Sequence, residues 1–187
     1  MCKFKYDSFW RDAASDKTIA DWLVDRGSLT GRIQQRCTEF SVHAVRSGLA
    51  RIARDEALLL GVIPHQLAFS REVYLYADGL PVVFAHSACA RKHLRGAWHA
   101  VRGLGSRPLG ALLFSLPLVE RKPLHCKLLG KSHRLYQRAV ARLPNPPENL
   151  WARRSLFYLN GAPLLVTEVF LPAILSLPQA ENHLKKF

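Results

Sequence analysis

RRSLFYLNGAPLLVTEVFLP, residues 153–172, is the stretch on which the fold turns. Two runs of β-forming residues flank Asn160-Gly161, and Pro163 follows just past the pair. Asn-Gly between such runs marks a two-residue hairpin, because a type I′ turn needs φ > 0 at both central positions. The stretch also raises a question of charge. Its second arm, LLVTEVFLP, is apolar but for Thr167 and one carboxylate, Glu168. A buried carboxylate must meet a cation or a hydrogen-bond donor, or keep its proton. Turn geometry fixes hairpin register. With Leu159 facing Ala162, counting outward sets Arg153 opposite Glu168, on the same face of the sheet.

A second segment repeats the design. SREVYLYADGLPVVFAHS, residues 70–87, has Asp78-Gly79 between β-forming runs and Pro81 just beyond. The same counting pairs Ala77 with Leu80 and sets Arg71 opposite His86. Two hairpins of one antiparallel sheet are expected. If both polar pairs face inward, a carboxylate, a guanidinium and an imidazole meet on apolar walls. That suits a small, partly apolar anion, since arginine offers a carboxylate a bidentate fork. The plain alternative is an ordinary cross-strand ion pair between Arg153 and Glu168. The residues alone leave both readings open.

Outward from the hairpins the signals weaken. Residues 7–25 read as a helix with Trp10, Ile19, Trp22 and Leu23 on its apolar positions, and 38–50 as a strand with Phe40, Val42 and Ala44 on one face. Residues 55–61 suggest a short helix, and 88–107 a basic helical stretch with a turn. Residues 119–149 form a basic insertion with no assigned role, containing HRLYQRAVARL as a helix and then the linker-like PNPPEN. The arginines of 121–142 are expected on a solvated helix face. Trp22, Trp98 and Trp151 are expected to serve packing.

Composition bounds the rest. A chain of 187 residues, 49% hydrophobic, suits one globular domain. No apolar run reaches the roughly 18 residues of a membrane span, and the charged N-terminus lacks a signal-peptide core. A cytoplasmic location is expected. Cys2, Cys37, Cys89 and Cys126 are far apart with no CxxC pair, which argues against a disulfide framework. The net charge of +13 fits a basic solvated surface, an anionic small substrate or attraction to anionic lipid. A nucleic-acid interface would want a motif, and none is present. His86, Cys89, His93 and His99 are too loosely spaced for a zinc site, and the adjacent His125 and Cys126 do not give nucleophile geometry.

WARRSLF (151–157) followed by LLVTEVFLP (164–172) resembles the chorismate–pyruvate lyase family. DWLVDRGSLTGRI (21–33), SREVYLYADGLPVVFAHS (70–87) and LGSRPLGALLF (104–114) match it in the same order, so the likeness covers about residues 21–172. The resemblance implies a single α+β domain over 1–187: an antiparallel sheet with helices packed on it and helix-turn flaps over an internal cavity. It implies conversion of chorismate to 4-hydroxybenzoate and pyruvate, in a monomer, as the first step of ubiquinone biosynthesis. Aromatisation drives that reaction, so no metal or redox cofactor is expected. A transient association with a membrane or a membrane-bound enzyme consuming the product is a further expectation.

The resemblance also implies a site. Arg71 corresponds to the family arginine that holds the ring carboxylate. Leu29 and Leu109 correspond to positions whose backbone N–H groups help hold the ligand. Glu168 corresponds to the acid that meets the ring hydroxyl, either as a base for the ring proton or only as a hydrogen-bond acceptor beside an intramolecular proton transfer. Some members carry arginine at the position of His86. A histidine there would bind the second carboxylate of the substrate more weakly and more pH-dependently. The alternative function is a non-catalytic effector-binding module, as in bacterial transcription regulators of the same fold. Those append a winged helix-turn-helix for which the short N-terminus here leaves no room.

Overall fold

The two hairpin turns form where the sequence predicts them. Asn160 and Gly161 adopt φ of 50° and 75°, and Asp78 and Gly79 of 48° and 78°, the left-handed backbone of a type I′ turn. The computed structural model describes Trp10 and residues 17–178. In chain order its elements are α1 (Lys17–Val24), α2 (Leu29–Gln34), β1 (Phe40–Arg51), α3 (Arg54–Leu59), β2 (Leu67–Ala77) and β3 (Leu80–Ala90). Then follow α4 (His99–Arg102), α5 (Leu109–Ser115), β4 (Glu120–Arg121), β5 (His125–Gly130), α6 (Arg134–Ala139), β6 (Asn149–Leu159) and β7 (Ala162–Phe170). Of the helix predicted over 7–25, residues 7–9 and 11–16 lie outside the described residues.

The strands form one antiparallel sheet in the order β1-β2-β3-β7-β6, with β4 and β5 both pairing along the outer edge of β6. The architecture is α+β in a single domain. Residues 119–149 are built into it. They supply β4, β5 and α6, and Leu135, Tyr136 and Ala139 of α6 are buried in the core. Residues 88–107 depart from the helical stretch predicted there. Residues 88–90 complete β3, Arg91–Arg95 form a 3-10 turn, and only α4 is α-helical. Gly96, Gly103 and Gly105 interrupt the helical run, the last at φ 53°. Trp98 is fully buried and donates its indole N–H to the Ala162 carbonyl at 3.0 Å, pinning this segment to the second hairpin.

The C-terminal hairpin keeps the predicted register, with Arg153 opposite Glu168. The other slips by one. Tyr76 pairs with Pro81 but Leu75 with Val83, so Val82 is an extra residue in β3. Pro81 has no N–H for the ladder, and the bulged Val82 turns its carbonyl to the Leu171 N–H at 3.0 Å. Arg71 therefore faces Ser87, and His86 faces Glu72. The predicted Arg71–His86 pair does not form, because adjacent strand residues point to opposite faces.

Each face of the sheet has its own core. On the front, α1, α2 and the segment from Leu94 to Leu113 cover Val73, Leu75, Val83, Cys89, Leu164 and Phe170. On the back, α3 and α6 cover Tyr74, Phe84, Ala88, Leu165 and Val169. The site lies in the front layer, where two short helices cross the sheet without filling the space beneath them.

Candidate active site

Two rows of side chains run across the front of the sheet. Arg71, Ser87, Val166 and Ser155 stand side by side on β2, β3, β7 and β6. Val73, Ala85, Glu168 and Arg153 form the next row. Ser87, Ala85, Ser155 and Val166 are small, so the middle of the sheet is a hollow rather than a packed layer. Large residues would fill it, as Phe157, Leu109 and Leu113 do at its rim. The result is a cavity with Arg71 and Glu168 both on its wall. The two residues sit two strands apart, a spacing of about 10 Å between backbones.

The cover consists of α2 and α5. Ser28 caps α2 by accepting a hydrogen bond from the Gly31 N–H at 3.2 Å. The two flaps touch at Gly110, where a Cβ would lie 3.2 Å from Thr30 Oγ1 and 3.5 Å from Ser28 Oγ. Leu29 and Leu109 are the first residues of α2 and α5 and both line the cavity. N–H groups in a first helical turn have no acceptor within the helix.

Arg71 is 3% exposed. Its Nη2 donates to the carbonyls of Gly105 and Arg107 at 2.9 and 2.8 Å, which ties down the loop leading into α5. Its Nε is buried with no partner, and no carboxylate pairs with it among the described residues. Burial pulls the guanidinium down to about 10, still charged at neutral pH. A buried charge met only by carbonyls is an unfinished interaction, and an anion in the cavity would complete it.

Glu168 is held from the opposite side. Arg153, only 1% exposed, donates Nε to Glu168 Oε2 at 2.5 Å. Arg153 Nη1 donates in turn to the Trp22 and Asp25 carbonyls at 2.6 and 2.7 Å. The end of α1 thus fixes Arg153, and Arg153 fixes Glu168. The pair is a cross-strand ion pair, and its carboxylate also lines the cavity. Glu168 Oε1 takes no protein hydrogen bond among the described residues.

Two residues differ from the predicted arrangement. His86 does not face this cavity. It lies on the back of the sheet, with Nδ1 3.1 Å from Glu72 and Nε2 3.2 Å from Glu56, so it is not placed to touch a ligand bound beside Arg71. Arg121, predicted on a solvated helix face, lies instead on the edge strand β4 opposite Phe157 and lines the cavity. A two-residue strand carries no periodicity, so no pattern marked it. Of the loose cluster, His86 is on the back while Cys89 is in the front core, its thiol pushed up to about 12 by burial. His125 and Cys126, adjacent on β5, point to opposite faces. Cys37 and Cys89 are free thiols. No helix among the described residues is long and apolar enough to cross a membrane.

The fold and cavity define a class: an α+β domain with a cationic, flap-covered cavity on one face of an antiparallel sheet. The effector domain of PhnF from Mycobacterium smegmatis shares the fold, at a TM-score of 0.57 and 14% identity over 78% of this chain and 89% of that one. The ligand-binding domain of a GntR-family regulator from Bordetella bronchiseptica does so at 0.51 and 16%, over 72% and 85%. Within that class the chain belongs to the chorismate lyase family, whose sequence model matches residues 9–179. It is 55% identical over 173 residues to a probable chorismate pyruvate-lyase of Nitrosospira multiformis, covering 91% of this chain and 96% of the relative. A probable chorismate pyruvate-lyase of Aromatoleum aromaticum is 55% identical over 162 residues, 86% of this chain and 88% of the relative.

Proposed function

We propose that this protein is a chorismate–pyruvate lyase, converting chorismate to 4-hydroxybenzoate and pyruvate. The observation that carries the reading is the pairing of two polar ends across one small hollow. Arg71 offers a buried guanidinium that pairs with no carboxylate among the described residues, and Glu168, clamped by Arg153, offers a carboxylate on the opposite wall. A ring with a carboxylate at one end and a hydroxyl at the other matches that polarity.

In this reading Arg71 binds the ring carboxylate, assisted by the N–H groups of Leu29 and Leu109. Glu168 Oε1 accepts the hydrogen bond of the ring hydroxyl and takes the proton from the carbon that bears it. The C–O bond to the enolpyruvyl group then breaks on the neighbouring carbon. The electron pair of the broken C–H bond becomes the third ring double bond, and enolpyruvate leaves and tautomerises to pyruvate. Aromatisation supplies the driving force, so the protein's tasks are orientation, exclusion of water and stabilisation of the departing anion. The product is the aromatic precursor of ubiquinone, which places the reaction at the head of that pathway.

The test is to incubate purified protein with chorismate and quantify both products by chromatography. The reading expects equimolar 4-hydroxybenzoate and pyruvate. Tight binding of 4-hydroxybenzoate without product formation would instead favour an effector-binding module, the use suggested by the regulators that share the fold.

A further inference from the structure

We infer that Arg121 is the subsite for the second carboxylate of the substrate, the one on the enolpyruvyl group. The inference rests on the lyase reading and extends it to a residue that the ring's own polar groups do not need. Chorismate is a dianion, and its enolpyruvyl ether stands on the ring carbon next to the one bearing the hydroxyl. If the hydroxyl meets Glu168, the second carboxylate lies toward the Glu168 end of the cavity, away from Arg71. Arg71 cannot reach both ends, and His86 is on the far side of the sheet.

Arg121 stands at that end. Its position on β4 faces Phe157 of β6, and its guanidinium lies over the Phe157 ring, 5.2 Å from the centroid. One nitrogen, Nη1, donates to the Arg26 carbonyl at 2.6 Å and more weakly to that of Gly27 at 3.4 Å. Nε is buried with no partner, and no carboxylate forms an ion pair with Arg121 among the described residues. Burial pulls its pKa below the usual arginine range, and the nearby Glu168 charge opposes that pull. Like Arg71, it is a cation held by backbone carbonyls with hydrogen-bonding capacity to spare. The cavity thus has two incompletely satisfied guanidiniums, one for each carboxylate of a dianion. The leaving group departs as an anion, so the same contact stabilises charge as the C–O bond breaks. The product ring carries one carboxylate and has no need of Arg121, which separates substrate recognition from product recognition.

The experiment compares Arg121→Gln with the native protein in two readouts: steady-state kinetics on chorismate and equilibrium binding of 4-hydroxybenzoate. The expected result is a KM for chorismate raised by about 30-fold, with 4-hydroxybenzoate affinity within about twofold of native, which also shows that the variant is folded. Arg121→Lys, which keeps the charge but not the fork, should fall between the two. It serves as the variant of record if Arg121→Gln does not fold, and a native KM for it would then overturn the assignment. An unchanged KM for Arg121→Gln overturns it too. So does a parallel loss of substrate and product affinity, which would mean that Arg121 only steadies the flap through the Arg26 and Gly27 carbonyls. If the native protein forms no product, the lyase reading fails separately. Chorismate binding then decides for Arg121: a native preference for chorismate over 4-hydroxybenzoate that the Gln variant loses upholds the subsite, and its absence or persistence overturns it.

Discussion

Arg71 and Glu72 are consecutive residues of β2, both 3% exposed, yet their surroundings differ in kind. On the back of the sheet Glu72 meets His86 at 3.1 Å and pairs with Arg138, and His86 reaches on to Glu56. Arg154 beside them pairs with Asp55 at 2.7 Å. Burial alone would push the His86 imidazole down, but the two carboxylates outweigh it and raise it to about 9. For Glu56 and Glu72 the same balance runs the other way. Burial pushes them up, and His86 chief among the cations brings them below the usual carboxylate range. On the front, buried Arg71 and half-buried Arg121 are held by backbone carbonyls, and neither forms an ion pair among the described residues. Buried charges answered by the protein hold a structure in one arrangement, while buried charges left unanswered point to a ligand.

The contrast breaks down if the two faces respond alike to mutation. The largest expected effect is on the front. Glu168→Gln should lower turnover by about 100-fold or more while 4-hydroxybenzoate still binds, because the amide accepts the hydroxyl hydrogen bond but no proton. Near-native turnover would remove Glu168 as the base. On the back, His86→Leu leaves Glu56 and Glu72 facing each other without their shared cation. It should lower unfolding free energy by about 3 kcal/mol, measured by urea titration, with KM for chorismate in the folded protein unchanged. A shifted KM at native stability would return His86 to the ligand site.

The pH dependence sharpens the same point. The His86 pKa is raised from 6.5 in the free residue to about 9. The stability it contributes is complete below about pH 6.5, declines above that, and is lost as pH rises through about 9. Urea midpoints should fall over this window in the native protein and hardly at all in His86→Leu. An equal slope in both would assign the titration elsewhere. The smallest effect is expected at the flap contact. Gly110→Ala places a Cβ 3.2 Å from Thr30 Oγ1 and should weaken 4-hydroxybenzoate binding by about 1 kcal/mol, roughly fivefold. Tighter binding would mean that the flaps do not close at this point.

The legible part of the fold was the part written in turn chemistry. Asn160-Gly161 and Asp78-Gly79 fixed two hairpins, and from the first the counting led directly to Arg153 and Glu168. It failed at Val82, because an extra residue after a proline leaves no mark in a run of β-formers, and that one slip carried His86 to the wrong face. Arg121 was hidden for a different reason: β4 is two residues long, in a segment whose charge suggested solvent. Leu29 and Leu109 came from the family likeness, which also gave Arg71, already reached through the second hairpin, its proposed part in holding a ring carboxylate. No local pattern says that a backbone N–H at a helix start will meet a ligand.

The measurement that bears most directly on the account is the affinity of 4-hydroxybenzoate for Arg71→Met, by calorimetry, against the native protein. If the front-face guanidinium is left unanswered because a ring carboxylate answers it, affinity should fall by about 100-fold, about 3 kcal/mol, with unfolding stability kept or raised by removal of an uncompensated buried charge. An affinity within twofold of native would contradict the account, and would leave Arg71 as no more than the anchor of the loop that leads into α5.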